Sequence, residues 1–286
     1  MADNSALVAN HYNARPERGI DVRQESVILS LKNFNNWVKA VLIGRYARPG
    51  ARAFDMCCGK GGDLQKWKRQ DVSRLVGIDI AAVSVDQARA RYEQSCRRFF
   101  PAAFHAADCF SPVIQDIIAG EEFDIVSIQF SLHYSFETEA KARAAIRNVA
   151  SNLRSGGFFV GTIPNADWIY KRLVHTDGLE FGNSIYAIKF DTKTPSLFGH
   201  RYRFTLADAI DDCPEYLINF STLSSIAAEH GLRPVLWKTF HQFYRDECIE
   251  HFDMLQRMRV FNAQGTVSGD EWEAAGIYSV FAFEKT

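Results

Sequence analysis

The sequence predicts a doubly wound α/β fold, in which helices cover both faces of a mostly parallel seven-stranded sheet. Strand-like and helix-like hydrophobic patterns alternate through residues 51–164. The run 123–130 is almost continuously apolar, as expected of a strand buried on both faces. A glycine-rich loop follows the first predicted strand, which is where open α/β sheets bind ligands.

The amino-terminal part of this pattern is regular. Apolar side chains at helical spacing predict a helix over 24–46, and Arg48-Pro49-Gly50 punctuates its end. Strands are predicted over 52–58, 75–80, 104–107, 123–130 and 158–163. Helices are predicted from about residue 63, over 83–96 and over 139–153, with Ser155-Gly156-Gly157 as the cap of the last one.

Beyond Pro164 the pattern is less regular. Strands over 185–190 and 202–206 indicate a hairpin or lid inserted into the fold. A helix over 217–230 ends at Gly231, and strands over 235–240 and 277–284 close the sheet. We therefore expect one domain over residues 1–286. Its parts are a helical segment (1–50), a ligand-binding core (51–164), an inserted lobe (165–215) and closing helices and strands (216–286).

Composition excludes several classes of protein. The 286 residues include 33 basic and 34 acidic side chains, for a formal charge of −1, and 47% are hydrophobic. This balance excludes a globally basic nucleic-acid-binding coat and an acidic disordered tail, so a polyanion would need a local patch. One such patch lies between Gly59 and Arg98, where five acidic residues face nine basic ones: Lys60, Lys66, Lys68, Arg69, Arg74, Arg89, Arg91, Arg97 and Arg98.

The cysteines and the amino-terminal residues indicate the cellular compartment in which the protein folds. Six cysteines form no C-x-x-C pair, so we expect neither a zinc site nor a disulfide framework. No apolar stretch is long enough for a membrane-spanning helix, and residues 1–10 carry no signal-peptide pattern. These features indicate a reducing, intracellular compartment.

The loop F-D-M-C-C-G-K-G-G-D, residues 54–63, is the main candidate binding site. Gly59, Gly61 and Gly62 allow a ligand to approach the backbone closely. Asp79 ends the next strand, where its carboxylate would accept hydrogen bonds from ribose hydroxyls. Asp108, after the third strand, would accept one from an adenine amino group.

Three classes of ligand are candidates for this loop. A nucleoside triphosphate loop requires a first glycine where Phe54 stands and Ser or Thr where Gly61 stands. The loop supplies the dinucleotide fingerprint G-x-G-x-x-G only in part. S-adenosylmethionine carries no phosphate and is the remaining candidate, and a tight turn that binds no ligand stays open.

Longer motifs resemble one family. D-M-C-C-G-K-G-G-D-L-Q-K-W, G-I-D-I-A-A-V-S-V-D-Q-A and S-I-Q-F-S-L-H-Y-S-F resemble the eukaryotic mRNA cap guanine-N7 methyltransferases, as do H-Y-N and C-P-E-Y. The resemblance extends from about His11 to Lys285 and implies a class I, Rossmann-like methyltransferase fold. The family usually has glycine where Cys57 stands. We expect cysteine there only with negative φ, and hence a modest shift of the loop.

The resemblance also implies site residues. S-adenosylmethionine, which becomes S-adenosylhomocysteine, would be held by Lys39, the Cys57 backbone, Gly59, Asp79, Asp108, Gln129 and Tyr134. The cap would be held by Asn35, Asn36, Lys60, Lys66, Arg91, His133, Glu215 and Tyr278. The Glu215 carboxylate would accept from both donors of the guanine edge, N1–H and the 2-amino group. No metal is expected.

The implied chemistry needs few side chains. N7 of guanine has a free lone pair and no proton to lose, so in-line methyl transfer requires no general base. Alignment and electrostatics would then suffice. We therefore expect no catalytic acid, base or nucleophile, with His133, Tyr134 and Glu215 nearest the transferred methyl group.

Rival methyltransferases fit less well. Residues 129–134, Q-F-S-L-H-Y, lack the Pro-Pro-aromatic segment of adenine-amino enzymes and the Pro-Cys of cytosine-C5 enzymes. A small-molecule methyltransferase and an inactive cap-binding module stay open. The resemblance implies capped mRNA as the partner, a nuclear location and no membrane. Candidate protein partners are a capping guanylyltransferase or triphosphatase, the RNA polymerase II machinery and an activating subunit.

Overall fold

The computed structural model describes residues 4–14, 25–262 and 264–286 of the chain. Its strands, in chain order, are β1 Arg52–Met56, β2 Arg74–Asp79, β3 Ala102–Ala106, β4 Phe123–Gln129, β5 Leu153–Pro164, β6 Glu180–Gly182, β7 Tyr186–Phe190, β8 Arg201–Leu206, β9 Ile210–Tyr216, β10 Leu232–Thr239 and β11 Tyr278–Lys285.

The helices are α1 Ser5–Asn13, α2 Leu29–Tyr46, α3 Leu64–Arg69, α4 Ala82–Ser95, α5 Ile114–Ile117, α6 Glu139–Ala150, α7 Ala166–His175, α8 Phe220–Ala228, α9 Phe240–Glu247, α10 Phe252–Arg257 and α11 Gly269–Ala275. A 3-10 helix spans Leu132–Glu137. Among the described residues, no helix combines the length and the apolar character that crossing a membrane requires.

The main sheet has the order β3-β2-β1-β4-β5-β11-β10. Strands β1 to β5 pair in parallel, and β11 and β10 add two antiparallel strands at one end. This arrangement confirms the predicted fold class. The parallel strands bring Met56, Asp79 and Gln129 to the same edge of the sheet, so the loops that follow these residues lie close together.

Apolar helices cover both faces of the sheet. On one face α2 buries Phe34, Trp37 and Leu42, none more than 1% exposed. On the other face α6 buries Ile146 against a cluster that includes Val126 of β4. The continuous apolar run of β4 is thus explained, because side chains pointing to either face enter a core.

The bounds of three predicted helices were wrong, and the one predicted over 217–230 spans Phe220–Ala228. The helix predicted over 24–46 begins at Leu29, and residue 24 lies outside the described residues. The helix predicted over 139–153 ends at Ala150, and Ser155-Gly156-Gly157 belongs to β5 instead of capping the helix. At Gly157 a Cβ atom would lie 2.9 Å from the Asp124 carbonyl oxygen, so the close approach to β4 explains this glycine.

The inserted lobe is larger than the predicted hairpin. Strands β7 and β8 pair antiparallel as predicted, but β6 and β9 extend them to a four-stranded sheet. Strand β9 includes Pro214, which argues against a strand in sequence analysis. It lies at the edge of its sheet, where a missing N–H is tolerated. The division of the chain into four segments stays a prediction.

Candidate functional site

A cleft opens at the carboxyl ends of β1, β2 and β4. Its walls combine the glycine loop, the segments after β2 and β3, the 3-10 helix, and α1. The lining residues are Asn4, Ser5, Val8, Tyr12, Cys57, Asp79, Ile80, Asp108, Cys109, Phe110, Ser131, Tyr134, Glu137, Lys141 and Tyr216. Four of the predicted cofactor residues, Cys57, Asp79, Asp108 and Tyr134, therefore meet in one cavity.

Asp79 is held rigidly at the wall of this cleft. Its Oδ2 accepts from the Gly59 N–H (2.8 Å) and its Oδ1 from the Ala81 N–H (2.9 Å). Burial raises the pKa of Asp79, although both N–H donors act in the opposite direction. Gly59 has φ +51°, and a Cβ atom there would meet no other atom within 4 Å. The loop thus leaves open space beside an oriented carboxylate.

The backbone conformation of Cys57 differs from the one expected from the sequence. Its φ is +61°, so cysteine occupies the left-handed backbone conformation that glycine adopts easily. The expected negative φ was wrong, because the turn from β1 into the loop imposes its conformation at a cost of about 1–2 kcal/mol. A hydrogen bond with Cys109 and burial hold the pKa of the Cys57 thiol well above its usual value.

The outer wall of the cleft is α1. The Tyr12 hydroxyl lies 3.0 Å from the Tyr134 hydroxyl, and the Ser5 hydroxyl donates to Asp108 Oδ2 (3.3 Å). Asn13 Oδ1 accepts from the Val83 N–H at the start of α4 (3.1 Å). Contacts with three separate segments of the chain thus hold this short helix across the cleft.

An ionic cluster lies below the glycine loop. Asp63 is bridged by Lys39 Nζ (2.7 Å) and Lys66 Nζ (2.6 Å), and Lys66 also donates to Asn36 Oδ1 (3.1 Å). Burial alone would raise the pKa of Asp63, but together the two ammonium groups hold it below its usual range. The cluster joins three predicted residues, Lys39, Asn36 and Lys66, through one acid that the prediction did not name.

Asp55 lies next to this cluster at the end of β1. Its carboxylate is 4% exposed and accepts from Trp67 Nε1 (3.3 Å). Burial, reinforced by the charge of Asp63, raises the pKa of Asp55 to about 7. The loop therefore rests on a carboxyl group that is easily protonated.

A second group of predicted residues surrounds Glu215. Tyr202 donates to Glu215 Oε2 (2.6 Å), and His133 Nε2 lies 3.4 Å from Oε1. Glu215 is 3% exposed and His133 2%. Tyr278 is also buried, with its ring edge-on to Phe130 at 4.9 Å. These groups form a buried polar cluster bordered by aromatic rings.

Glu215 is close to the cleft but does not line it. Its chain neighbour Tyr216 does, and so does Tyr134, whose ring centroid is 4.3 Å from that of His133. The carboxylate therefore lies behind the cleft surface, next to His133, whose ring packs against Tyr134.

Several buried polar atoms of the predicted site residues have no hydrogen-bond partner in the described part of the chain. Gln129 Oε1, Asn35 Oδ1 and both ring nitrogens of His133 have no hydrogen-bond partner among the described residues. Such atoms are rare in proteins, and a bound ligand is one way to satisfy them. All three residues were predicted from the resemblance. Lys60 and Arg91 are half-buried and do not line the cleft.

Sequence reasoning missed α1, Lys141, Tyr202 and Asp63 as parts of the site. The H-Y-N motif was a signal for α1, since Tyr12 and Asn13 make two of its anchoring contacts. No local signal marks Tyr202, whose role follows from its register opposite Glu215 on β8 and β9.

Comparisons with known proteins agree on one family. The model of the mRNA (guanine-N(7))-methyltransferase domain matches residues 1–286. An mRNA cap guanine-N(7) methyltransferase of Cryptococcus neoformans is 45% identical over 98% of this chain and 41% of its own length. The enzymes of that name from Oryza sativa and Schizosaccharomyces pombe are 43% and 42% identical, and the matches cover 80% and 82% of them. This chain thus spans less than half of the Cryptococcus relative.

Solved structures share the fold at low identity. The N-methyltransferase NodS of Bradyrhizobium japonicum, in complex with S-adenosyl-L-homocysteine, has a TM-score of 0.53 at 14% identity over 99% of both chains. An S-adenosylmethionine-dependent methyltransferase of Clostridium acetobutylicum has a TM-score of 0.52 at 10% identity over 89% of this chain and 91% of that one. These matches show the fold alone.

Proposed function

The chain belongs to the mRNA (guanine-N(7))-methyltransferase domain family, and from this premise we propose that it methylates N7 of the terminal guanosine of the 5′–5′ triphosphate cap of mRNA. The methyl donor is S-adenosylmethionine. The observation that carries the proposal is the adjacency of the Asp79 cleft to the buried Glu215 carboxylate, with Tyr134 between them.

The cleft fits the cofactor. Asp79 presents a fixed carboxylate to a ribose diol, and the open space at Gly59 admits a ligand against the backbone. Asp108 lies on the same cavity and suits an adenine amino group, while the unsatisfied Gln129 Oε1 is an acceptor at the end of β4. S-adenosylmethionine supplies an electrophilic methyl group on a sulfonium when bound.

The side chains around Glu215 suit recognition of guanine. A carboxylate accepts from N1–H and the 2-amino group together, and adenine offers no such pair of donors. Tyr278 provides an aromatic ring, and the buried His133 ring lies beside the Glu215 carboxylate. Asn35 and Asn36 lie on α2, and Lys60, Lys66 and Arg91 are the proposed cations for the triphosphate.

The residues of this chain act by orientation and electrostatics in this proposal. Positive charge develops on the guanine ring during transfer, and the nearby Glu215 carboxylate stabilises it. N7 loses no proton, so no side chain acts as a base. The cleft and the Glu215 carboxylate are adjacent, so binding of both substrates would provide the alignment.

Partners and location follow from the family. We propose a nuclear enzyme that acts on the capped 5′ end of mRNA. A capping guanylyltransferase or triphosphatase, the RNA polymerase II machinery or an activating subunit would be its protein partners. We also propose that the domain divides into the segments 1–50, 51–164, 165–215 and 216–286.

The test is incubation with methyl-labelled S-adenosylmethionine and three RNAs of one sequence, carrying GpppN, ApppN or an uncapped 5′ triphosphate. Label recovered as m7GpppN from the first RNA only would support the proposal. The matched variants Glu215→Gln and Glu229→Gln compare the buried carboxylate with an exposed one that pairs with Arg143. Cap binding without methylation would contradict the proposed activity, and so would equal labelling of ApppN-RNA.

A further inference from the structure

An exposed aromatic ring lies beyond the proposed triphosphate residues. Phe99 follows α4 and is 56% exposed, whereas its neighbour Phe100 is 3% exposed and anchors the turn in the core. Lys68 Nζ from α3 lies 3.6 Å from the centre of the Phe99 ring. Burial in this chain therefore does not explain Phe99, whose exposed ring has the Lys68 ammonium over one face.

The charges around this ring are not neutralised. Arg69 and Arg98 are exposed, and neither they nor Lys68 form an ion pair with an acid of the described residues. The acidic residue nearest to Arg69 in the sequence is Asp71, which follows α3. By contrast, Arg97 pairs with Glu93 at 2.9 Å. We call Lys68, Arg69, Arg98 and Phe99 the Phe99 patch.

The Phe99 patch lies on the two helices that carry Lys66 and Arg91 of the proposed triphosphate site. Gln65 of α3 donates to Ser95 Oγ of α4 (3.0 Å), so the two helices lie side by side. Ser95 Oγ in turn donates to the Arg91 carbonyl (2.8 Å). Lys66 precedes Lys68 and Arg69 on α3, and Arg98 and Phe99 follow the end of α4, which carries Arg91. The patch thus lies at the carboxyl ends of the two helices that carry Lys66 and Arg91.

We propose that the Phe99 patch binds the single-stranded RNA that follows the cap, with a base stacked on Phe99 and phosphates on Arg69 and Arg98. Cations beside an exposed aromatic ring suit single-stranded nucleic acid, because each base can stack and each phosphate is charged. A duplex would not offer a free base to this ring. The proposal rests on the proposed function, since it takes the cap to bind at Lys66 and Arg91.

Steady-state methylation of GpppG dinucleotide and of a capped 10-nucleotide RNA tests this proposal. Two variants are compared with the wild type: Phe99→Ala and the double variant Arg69→Ala with Arg98→Ala. Each should raise KM for the RNA about 5- to 10-fold. Each should leave kcat and the dinucleotide kinetics unchanged. Phe252→Ala and Arg257→Ala are matched controls, since both residues are exposed on α10. An unchanged KM for the RNA, or an equal loss with the dinucleotide, would overturn the proposal.

Direct binding separates this proposal from the methylation activity. Anisotropy of a labelled 10-nucleotide RNA with a 5′ hydroxyl should show several-fold weaker binding for Phe99→Ala and for the double arginine variant. The slope of log affinity against log salt should fall by about 0.7 for each phosphate that the variant no longer neutralises. Wild-type affinity in both variants would overturn the proposal. So would equal sensitivity of an acidic peptide of matched charge, which would assign the patch to a protein partner.

Discussion

Tyr202 and Glu215 face each other across β8 and β9, and the Tyr202 hydroxyl donates a 2.6 Å hydrogen bond to Glu215 Oε2. Tyr202 is completely buried, so this bond is shielded from water. With Oε2 held by Tyr202 and Oε1 facing His133, the carboxylate has one orientation. Tyr202 is therefore a positioning residue for the group that we propose reads guanine.

Removal of this hydroxyl should loosen the carboxylate without disturbing the cofactor. We expect Tyr202→Phe to lower kcat/KM for capped RNA about tenfold, the equivalent of about 1.4 kcal/mol, as for a hydrogen bond to a charged group. The Kd for S-adenosylmethionine, measured by calorimetry, should not change.

A double-mutant cycle distinguishes positioning from a general structural effect. In a Glu215→Gln background, Tyr202→Phe should have little further effect on kcat/KM, because the two side chains act as a unit. Additive losses would assign Tyr202 to the stability of the inserted lobe instead.

The α1 helix should limit loss of the cofactor. Tyr12→Phe removes the bond to the Tyr134 hydroxyl, and we expect the Kd for S-adenosylmethionine to rise about fivefold, or about 1 kcal/mol. Stopped-flow should place this change in the dissociation rate, because α1 forms the outer wall of the cleft. Tyr170→Phe, whose hydroxyl bonds to the Lys193 carbonyl away from the site, is the matched control. Equal Kd values for the two variants would remove α1 from cofactor retention.

Asp55 should make stability fall with rising pH. Its pKa is raised to about 7 in the folded protein, chiefly by burial, so folding favours the protonated carboxyl. The stabilisation is complete below about pH 4 and is lost as pH rises to about 7. In urea unfolding, Asp55→Asn should therefore flatten this fall between pH 4 and pH 7.

Asp63 provides the opposite case. Its pKa is lowered by Lys39 and Lys66, so its stabilisation is present above its usual pKa and lost in acid. At pH 7 Asp63→Asn should cost about 3 kcal/mol, since Lys66 would remain buried without its partner. A pH profile for Asp55→Asn that parallels the wild-type profile would contradict the assigned environment of Asp55.

Cys57 should store backbone strain. Glycine adopts φ +61° without the Cβ penalty, so Cys57→Gly should raise the free energy of unfolding by about 1 kcal/mol in urea. Because the backbone conformation is retained, the Kd for S-adenosylmethionine should stay the same. A destabilised variant would show that the interaction with Cys109 outweighs the strain.

Sequence reasoning found the parts of the site that are local in the chain. The glycine loop and Asp79 lie within one β-α-β unit, where strand ends and turns determine which groups meet. Asp63 was present in the quoted motif, but its bridge between Lys39 and Lys66 depends on the packing of α2 against α3.

Long-range packing accounts for what was missed. Helix α1 has no side-chain hydrogen bond at its N-cap and is held by contacts with residues at least 70 positions away. The Tyr202–Glu215 pair depends on the register of β9, an edge strand that was not predicted from the sequence. No sequence periodicity reports such contacts.

A crystal structure of the protein with S-adenosylhomocysteine and GpppG tests the central claim most directly. The account predicts the ribose on Asp79 and the guanine edge on both oxygens or one oxygen of Glu215, with N7 turned towards the sulfur. Guanine bound away from the Glu215 carboxylate, or N7 turned away from the sulfur, would contradict this claim.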